Sequence, residues 1–413
     1  MTIADASNPL SNPTIAEKKL FDRCRAMRAT NSRTSAFGLF AETGLPHRRM
    51  EQWKWTDIRA ALTNLETPSI DLAKQTVEVP EGACVLIFDG VAWKLPETLP
   101  EGVSAHRQSD ATPLKTIEGL PLGQLTASMT GQDSSSDFVS IEISGKVDQP
   151  IFLDFASAPA ETAFARLAFN ILPDCSVRLI EAHSGNAAFS STLIEFRLQS
   201  GASVDRTFVQ RASTAQSVGI TATAVLGEKA SFVQTALGFG AKVCRVETHV
   251  RFEGAEAHAE LNSAYLAGDD HHIDFTSHVT HAAPSCTTRQ LTKGAVSKGG
   301  RGVFQGKFLV PRSIGQFTDA DMQHQALLLE DGAEVFAKPE LEIYADDVEC
   351  AHGNTSGQLD EAALFYMRQR GIPAVEARAL LTEAFIVEAL QSAHEAVRDQ
   401  MIDEARKFLR AEG

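Results

Sequence analysis

The run SVDRTFVQ (203–210), GITATAVLG (219–227), KASFVQTALG (229–238), CRVETHVRFEG (244–254) and AHAELNSAYLAG (257–268) decides the fold. Each segment is short and largely alternates apolar with polar or small residues, the period-2 pattern of a strand with one face buried. Gly, Asp or Ser falls between segments. The same texture starts upstream with FVSIEISG (138–145), PIFLDFAS (150–157), FARLAFNIL (164–172), SVRLIEAHSG (176–185) and TLIEFRLQSG (192–201). Small turn residues at Ser176, Ala202, Ala230 and Ala257 each precede a fresh strand, at spacings of 26, 28 and 27 residues. A near-constant period in this range fits the stacked coils of a solenoid, none of which can bury its apolar face alone. About 200 residues of strand without an intervening helix exclude a doubly wound α/β fold and leave a β-helix, a propeller or a sandwich. The repeat favours the β-helix, whose rungs must be of similar length to stack.

Helical patterns flank this core. Thr14 is placed to cap a helix carrying Leu20, Phe21, Cys24 and Met27, a second helix spans 35–42 and ends at Gly44 and Pro46, and Asp57 opens a third. Trp53 and Trp55, on either side of Lys54, are expected to anchor this cap on the main body. Residues 1–12 read as disordered, and 69–121 as mixed with one strand at 83–89. Towards the C-terminus, helices are expected at 360–370, closed by Gly371, at 374–389 and at 394–409, where Val397, Met401, Ile402, Ala405, Phe408 and Leu409 share one stripe. The expected division is an N-terminal helical region (1–68), a mixed connecting region (69–135), a β-helix core (136–355) and a C-terminal helical domain (356–413).

Hydrophobic content of 43% and charged content of 22% are those of an ordinary globular chain. A net charge of -15 argues against a general nucleic-acid or anionic-membrane binder, which needs a basic surface. No apolar run approaches the roughly 20 residues that span a bilayer. The stretch MTIADASNPL has neither a basic n-region nor an apolar h-region. Six scattered cysteines (24, 84, 175, 244, 286, 350) form no C-x-x-C pair, so reduced thiols and a cytoplasmic location are expected.

The chemically suggestive stretch is PELEIYADDVECAHGNTSGQLDEAALFYMRQRG, residues 339–371. Val348, Cys350 and His352 fall at i, i+2 and i+4, which on an extended backbone puts a thiol and an imidazole on one face. Both bind soft or borderline metals once deprotonated, and Asp346, Asp347 and Glu349 are near enough to supply oxygen ligands or take up protons. The plain alternative is a partly buried cysteine beside a hydrogen-bonded histidine. Two ligands do not close a tetrahedral site, so a metal here needs donors from elsewhere or from a second chain. Gly353 and Gly357 are expected to break the strand, and Asp360 to cap the helix that follows.

Other motifs compete. GDDHHIDFTSHVTH carries His271, His272, His278 and His281; in a strand His272 and His278 share one face and His271 and His281 the other, so a mononuclear metal site needs Asp270 or Asp274 as well. KGGRGVFQGKF (298–308) fails as a phosphate loop, because Arg301 stands where Gly is required and Phe308 where the magnesium-binding hydroxyl is required. There is no G-x-S-x-G elbow, and Cys244 and Cys286 lack any flanking nucleophile signature.

RTSAFGLFAETGLPHRRMEQWKWTDIR (33–59), GGRGVFQGKFLV (299–310), GQFTDADMQHQALLL (315–329) and the 339–372 stretch together resemble the SufD subunits of the SUF iron–sulfur cluster assembly system. The resemblance runs from about residue 33 to 390; Trp55 stands where the family commonly has Tyr. It implies a right-handed parallel β-helix between N- and C-terminal helical regions, and a non-catalytic scaffold subunit. Such a subunit pairs with the related SufB and docks the SufC ATPase through its C-terminal helices, so ATP is hydrolysed in SufC and no nucleotide binds this chain. It also implies that Cys350 and His352 lie at the SufB interface and serve cluster assembly or iron acquisition, a transient iron–sulfur cluster being completed by the partner's ligands. A homodimer through the same strand edge is a further candidate state when SufB is absent. Length and the VECAHG stretch (348–353) favour SufD over SufB. The rival classes are a metal-dependent enzyme using His271, His272, His278 and His281, and a purely structural subunit.

Overall fold

The computed structural model describes residues 10, 12–27, 30–68, 78–108, 117–131, 138–212, 215–268, 271–312 and 315–411. Most of the 1–12 segment read as disordered therefore lies outside the described residues. Helices α1 (Ile15–Ala26), α2 (Asn31–Thr43) and α3 (Ile58–Ala61) come first, then strands β1 (Cys84–Phe88), β2 (Trp93–Lys94) and β3 (Val103–Arg107) and helix α4 (Pro121–Met129). Strands β4 (Phe138–Ile143), β5 (Ile151–Phe155), β6 (Ala160–Ile171), β7 (Ser176–His183), β8 (Ala187–Leu198), β9 (Ser203–Gln210), β10 (Ser217–Leu226), β11 (Ser231–Gly238) and β12 (Val243–Phe252) follow. The series continues with β13 (His258–Ala267), β14 (His272–His281), β15 (Thr287–Val296), β16 (Arg301–Val310), β17 (Asp319–Leu328), β18 (Glu334–Ile343) and β19 (Glu349–Gly357). Helices α5 (Glu361–Gln369), α6 (Ala374–Val387) and α7 (Glu395–Ala411) close the described chain.

From β4 onward the chain alternates between two sheets. Odd-numbered strands stack β5-β7-β9-β11-β13-β15-β17-β19 and even-numbered strands β4-β6-β8-β10-β12-β14-β16-β18, all in parallel ladders, which is a parallel β-helix. β1 joins the odd sheet in parallel with β5, whereas β3 runs antiparallel to β4. The ladder also fixes the repeat. Ser176 pairs with Ser203 and Ser203 with Ser231, so the positions equivalent to Ala202, Ala230 and Ala257 are Cys175 and Cys286; Ser176 as counted from the sequence is one residue out of phase.

The cause of that regularity is a corner ladder. Asp174, Gly201, Lys229, Glu256, Ser285, Phe317 and Asp347 all have φ between 56° and 70°, one per turn, immediately before Cys175, Ala202, Ala230, Ala257, Cys286, Thr318 and Val348. A left-handed non-glycine residue costs on the order of 1 kcal/mol, so the neighbouring rungs must hold each one in place. They do so through backbone bonds between corners, such as Gly201 N–H to the Glu228 carbonyl and Phe317 N–H to the Asp347 carbonyl. The small side chain that follows turns inward and is buried at Cys175, Ala202, Ala230, Ala257 and Cys286. Two of the six cysteines thus belong to the corner.

The interior is apolar where Ile194, Phe196, Leu198, Phe232, Phe252 and Phe304 stack, each worth about 1.5–3 kcal/mol on burial. Glycine at two inward positions of β16 makes room for larger neighbours: a Cβ on Gly302 would lie 2.3 Å from Tyr265 Cε2, and one on Gly306 2.4 Å from Met322 Sδ. The glycine-rich 298–308 stretch is therefore a strand that clears space for the core.

Helical caps cover the outward sheet faces. Thr14 and Glu17 form a reciprocal capping box on α1, Gly44 ends α2 with φ 72°, and Asp57 caps α3. This cap packs with α4, which sequence periodicity missed, against Phe164, Phe189 and Val243 on the even sheet. Trp53 is wholly buried there with the Arg245 guanidinium 3.8 Å from its ring, and Trp55 stacks on Phe336. At the other face, Ile386, Leu390, Val397, Met401 and Leu409 pack over Ile180, Val209, Leu237 and Leu266 of the odd sheet. The C-terminal stripe is a core stripe.

Candidate functional site at the open end

Among the described residues β18 and β19 are the last strands of their sheets, so each offers one unpaired edge. They are far more exposed than the rungs behind them. An unpaired edge of nine or ten residues is a template for another chain.

β19 carries Cys350 and His352. Its ladder with β17 sets Cys350 over Ala320 and His352 over Met322, both of which are buried in the core. The i, i+2 spacing places them as expected: Cys350 is half-buried against the core with Ala337 and Leu341 of β18, and His352 is exposed above Met322. Burial and then the Asp319 carboxylate push the Cys350 thiol above its ordinary value, against the Ala320 backbone bond. The thiol is thus protonated at neutral pH, and an arriving cation must displace its proton. Asp347 is a corner residue at φ 56°, Asp346 is exposed, and Glu349 pairs with Asp319 on the opposite phase of the strand. These carboxylates do not join the thiol: among the described residues no three His, Cys, Asp or Glu groups converge around one point.

One expectation for this stretch is corrected. Gly353 does not break the strand, since β19 runs on to Gly357 with Gly353 paired to Gln323; parallel backbone pairing needs no side chain. The helix cap is as expected, with Asp360 accepting from the Ala362 and Ala363 N–H groups.

Sequence reasoning missed the polar chain beside the pair. Burial holds His324 down to about 4, so the ring is neutral; Nδ1–H donates to Asn354 Oδ1 (2.6 Å) and Nε2 accepts from Tyr265 O–H (2.9 Å). Phe304 stacks on the same ring at 4.6 Å. His324 and Asn354 occupy the inward column next to Met322 and His352, so the outermost strand is tied through a histidine to the interior. The M-x-H of β17 lying under the C-x-H-x-N of β19 is the signal that would have found it.

The four-histidine cluster is dispersed. His271 precedes β14 and bonds the Gly268 carbonyl, His272 meets Thr56 at 2.8 Å, His281 meets Thr288 at 3.1 Å from the inward side, and His278 faces His249. Asp274 is taken by Arg245 at 2.8 Å and by the Thr56 hydroxyl, while Asp270 lies outside the described residues. Cys244 and Cys286 are fully buried and burial raises both thiols, so neither is placed as a nucleophile.

A family model described as SUF system FeS cluster assembly, SufBD core domain, matches residues 155–385, more than half of the chain. The iron-sulfur cluster assembly protein SufD of Escherichia coli K12 is 36% identical over 176 residues, which cover 43% of this chain and 40% of that one. An iron-sulfur cluster assembly SufBD family protein of Synechocystis is 28% identical over 397 residues, covering 87% and 86%. Another, from Mycobacterium tuberculosis H37Rv, is 26% identical over 357 residues, covering 84% of each. No helix among the described residues is long and apolar enough to cross a membrane. The β-helix and these matches agree: the chain belongs to the SufBD family of SUF-system iron–sulfur cluster assembly proteins.

Proposed function

We propose that this chain is a SufD-type scaffold subunit in the cytoplasm: it pairs with a SufB-type chain through the β18–β19 edge, docks a SufC-type ATPase on its C-terminal helices, and presents Cys350 and His352 to a cluster under construction. The observation that carries the reading is the open end itself. It combines two unpaired strand edges, an uncovered end of the core at Ala337, Leu341 and Cys350, and an exposed imidazole over Met322. The cluster is cargo. Thiolate and imidazole suit iron, and the remaining ligands fall to the partner, because the described residues of this chain bring two together here.

On the C-terminal side, Phe365, Tyr366 and Val375 are exposed at 62%, 58% and 49%, while the opposite sides of α6 and α7 hold the sheet. These three apolar side chains are where we place the ATPase contact. The reading is tested by co-purification with both partners. Leu341→Glu, which sets a charge at the uncovered end, is expected to release the SufB-type chain and retain the ATPase; Phe365→Ser with Tyr366→Ser is expected to do the reverse. Retention of both partners by both variants would refute the placement.

A further inference from the structure

His278 of β14 stands directly across the parallel ladder from His249 of β12. Both lie on the outward phase of the even sheet, with ring centres 5.8 Å apart and planes inclined at 60°. Each Nε2 is buried and has no hydrogen-bond partner among the described residues. His281 Nδ1 and His394 Nε2 share that lack, but each of the other buried histidine rings keeps at least one bond: His183 to Glu181, His271 to the Gly268 carbonyl, His272 to Thr56, His281 to Thr288, His324 to Tyr265 and Asn354, and His394 to the Ala396 N–H. Two neighbouring buried ring nitrogens without partners are a cost with no return in packing, which calls for an explanation outside the fold.

We propose that His249 and His278 together hold a divalent cation of borderline softness, of the Zn2+ or Co2+ kind, on the outer face of the even sheet. An N–metal bond of about 2.0–2.1 Å sets each ring centre about 3.2 Å from the ion, so two rings sharing one ion stand about 5–6.5 Å apart. The observed separation falls in that interval. Burial, joined at His249 by Arg245 and at His278 by the facing ring and Lys307, pushes both down to about 4, so both are neutral and able to ligate at neutral pH. The nearby cations are themselves compensated: Lys307 bonds Glu342 at 2.7 Å, and Arg245 bonds Glu247 and Asp274. Glu247, two residues before His249 on the same face, also has a buried Oε2 without a partner among the described residues. Since no three such groups converge among the described residues, the protein supplies two nitrogens and leaves the other positions to water or an incoming ligand. Open coordination suits an exchanging ion better than a structural one.

The site is independent of the open end and of the scaffold reading. The test uses the full chain, stripped with chelator and titrated with Zn2+ at pH 7.5 against a chromophoric chelator, with long-range 1H–15N spectra of its histidine rings recorded in parallel. One equivalent is expected to shift two imidazoles together. His249→Gln and His278→Gln are each expected to weaken that equivalent at least tenfold, whereas Cys350→Ala with His352→Ala leaves it in place. His249→Phe with His278→Phe is expected to melt no lower than wild type without metal and to lose the metal-induced rise in Tm. Undiminished Zn2+ binding by a folded His249→Gln/His278→Gln protein overturns the proposal. So does a wild-type spectrum in which Zn2+ moves only other histidines, and that result needs no variant.

Discussion

Arg245→Ala is expected to detach the N-terminal cap before the β-helix unfolds. Arg245 is fully buried, donates to Glu247 Oε1 at 2.5 Å and to Asp274 Oδ2 at 2.8 Å, and lies 3.8 Å from the Trp53 ring. Asp274 in turn receives the Thr56 hydroxyl of the cap. Removing the guanidinium leaves two carboxylates buried without their cation, which costs about 3–5 kcal/mol. Loss of the stacked cation adds about 1–2 kcal/mol at a desolvated site. The sum rivals the 5–15 kcal/mol or so of a whole domain, but it falls at one junction, so local opening is the cheaper response. Urea unfolding followed by tryptophan fluorescence and by far-UV circular dichroism separates the two. The fluorescence transition should move to lower urea and split from the β-sheet signal. Arg245→Met keeps the aliphatic stem yet orphans the same carboxylates, and should behave alike. A shift worth less than about 1 kcal/mol, or two probes that still coincide, would refute the reasoning.

Three further outcomes follow from the geometry. Gly294→Ala places a Cβ 2.0 Å from Tyr265 Cζ in a fully buried column; a loss of about 3 kcal/mol or more is expected in denaturant melts, only partly restored by adding Tyr265→Leu, which relieves the clash but leaves His324 Nε2 without its donor. Acid should weaken the fold early. Burial lowers His249, His272, His278, His281 and His324 to about 4, so between about pH 6.5 and 4 the unfolded chain binds more protons, and stability is present above that window and lost as pH falls through it. By pH 5 each of the five sites forfeits on the order of 1–2 kcal/mol; a melting temperature flat from pH 7 to 5 would contradict this. Finally, Phe365→Ser with Tyr366→Ser, both on the exposed side of α5, should change stability by no more than about 0.5 kcal/mol, checked by thermal melts of the isolated chain.

Much of this was legible in the chain, and the reasons differ by feature. Period-2 alternation and near-equal spacing expose a β-helix because every rung meets the same two neighbours. Thr14, Gly44, Asp57, Asp360 and Gly371 mark helix ends because capping is a local matter. Features that depend on stacking across rungs were not legible. Phe317 at φ 58° is a corner only because the turn above and the turn below impose it, and the outward phase of the even sheet reads as polar until a helical cap is seen to bury Arg245 and Asp274. The histidine-rich segment misled for the same reason: its four rings are close in sequence, but His278 meets a residue 29 positions away on the next rung. At the open end, alternation was enough to put Cys350 and His352 on one face, because an edge strand has only one neighbour to obey.

The central claim is that this open end builds clusters with a partner. The direct measurement is co-expression with SufB-type and SufC-type chains, anaerobic purification, and a visible absorption spectrum of the wild-type complex beside Cys350→Ala and His352→Ala. A coloured complex whose absorbance disappears in the variants while the subunits stay together is the predicted result. Colour that persists in an intact variant complex would contradict it and leave this chain a structural subunit.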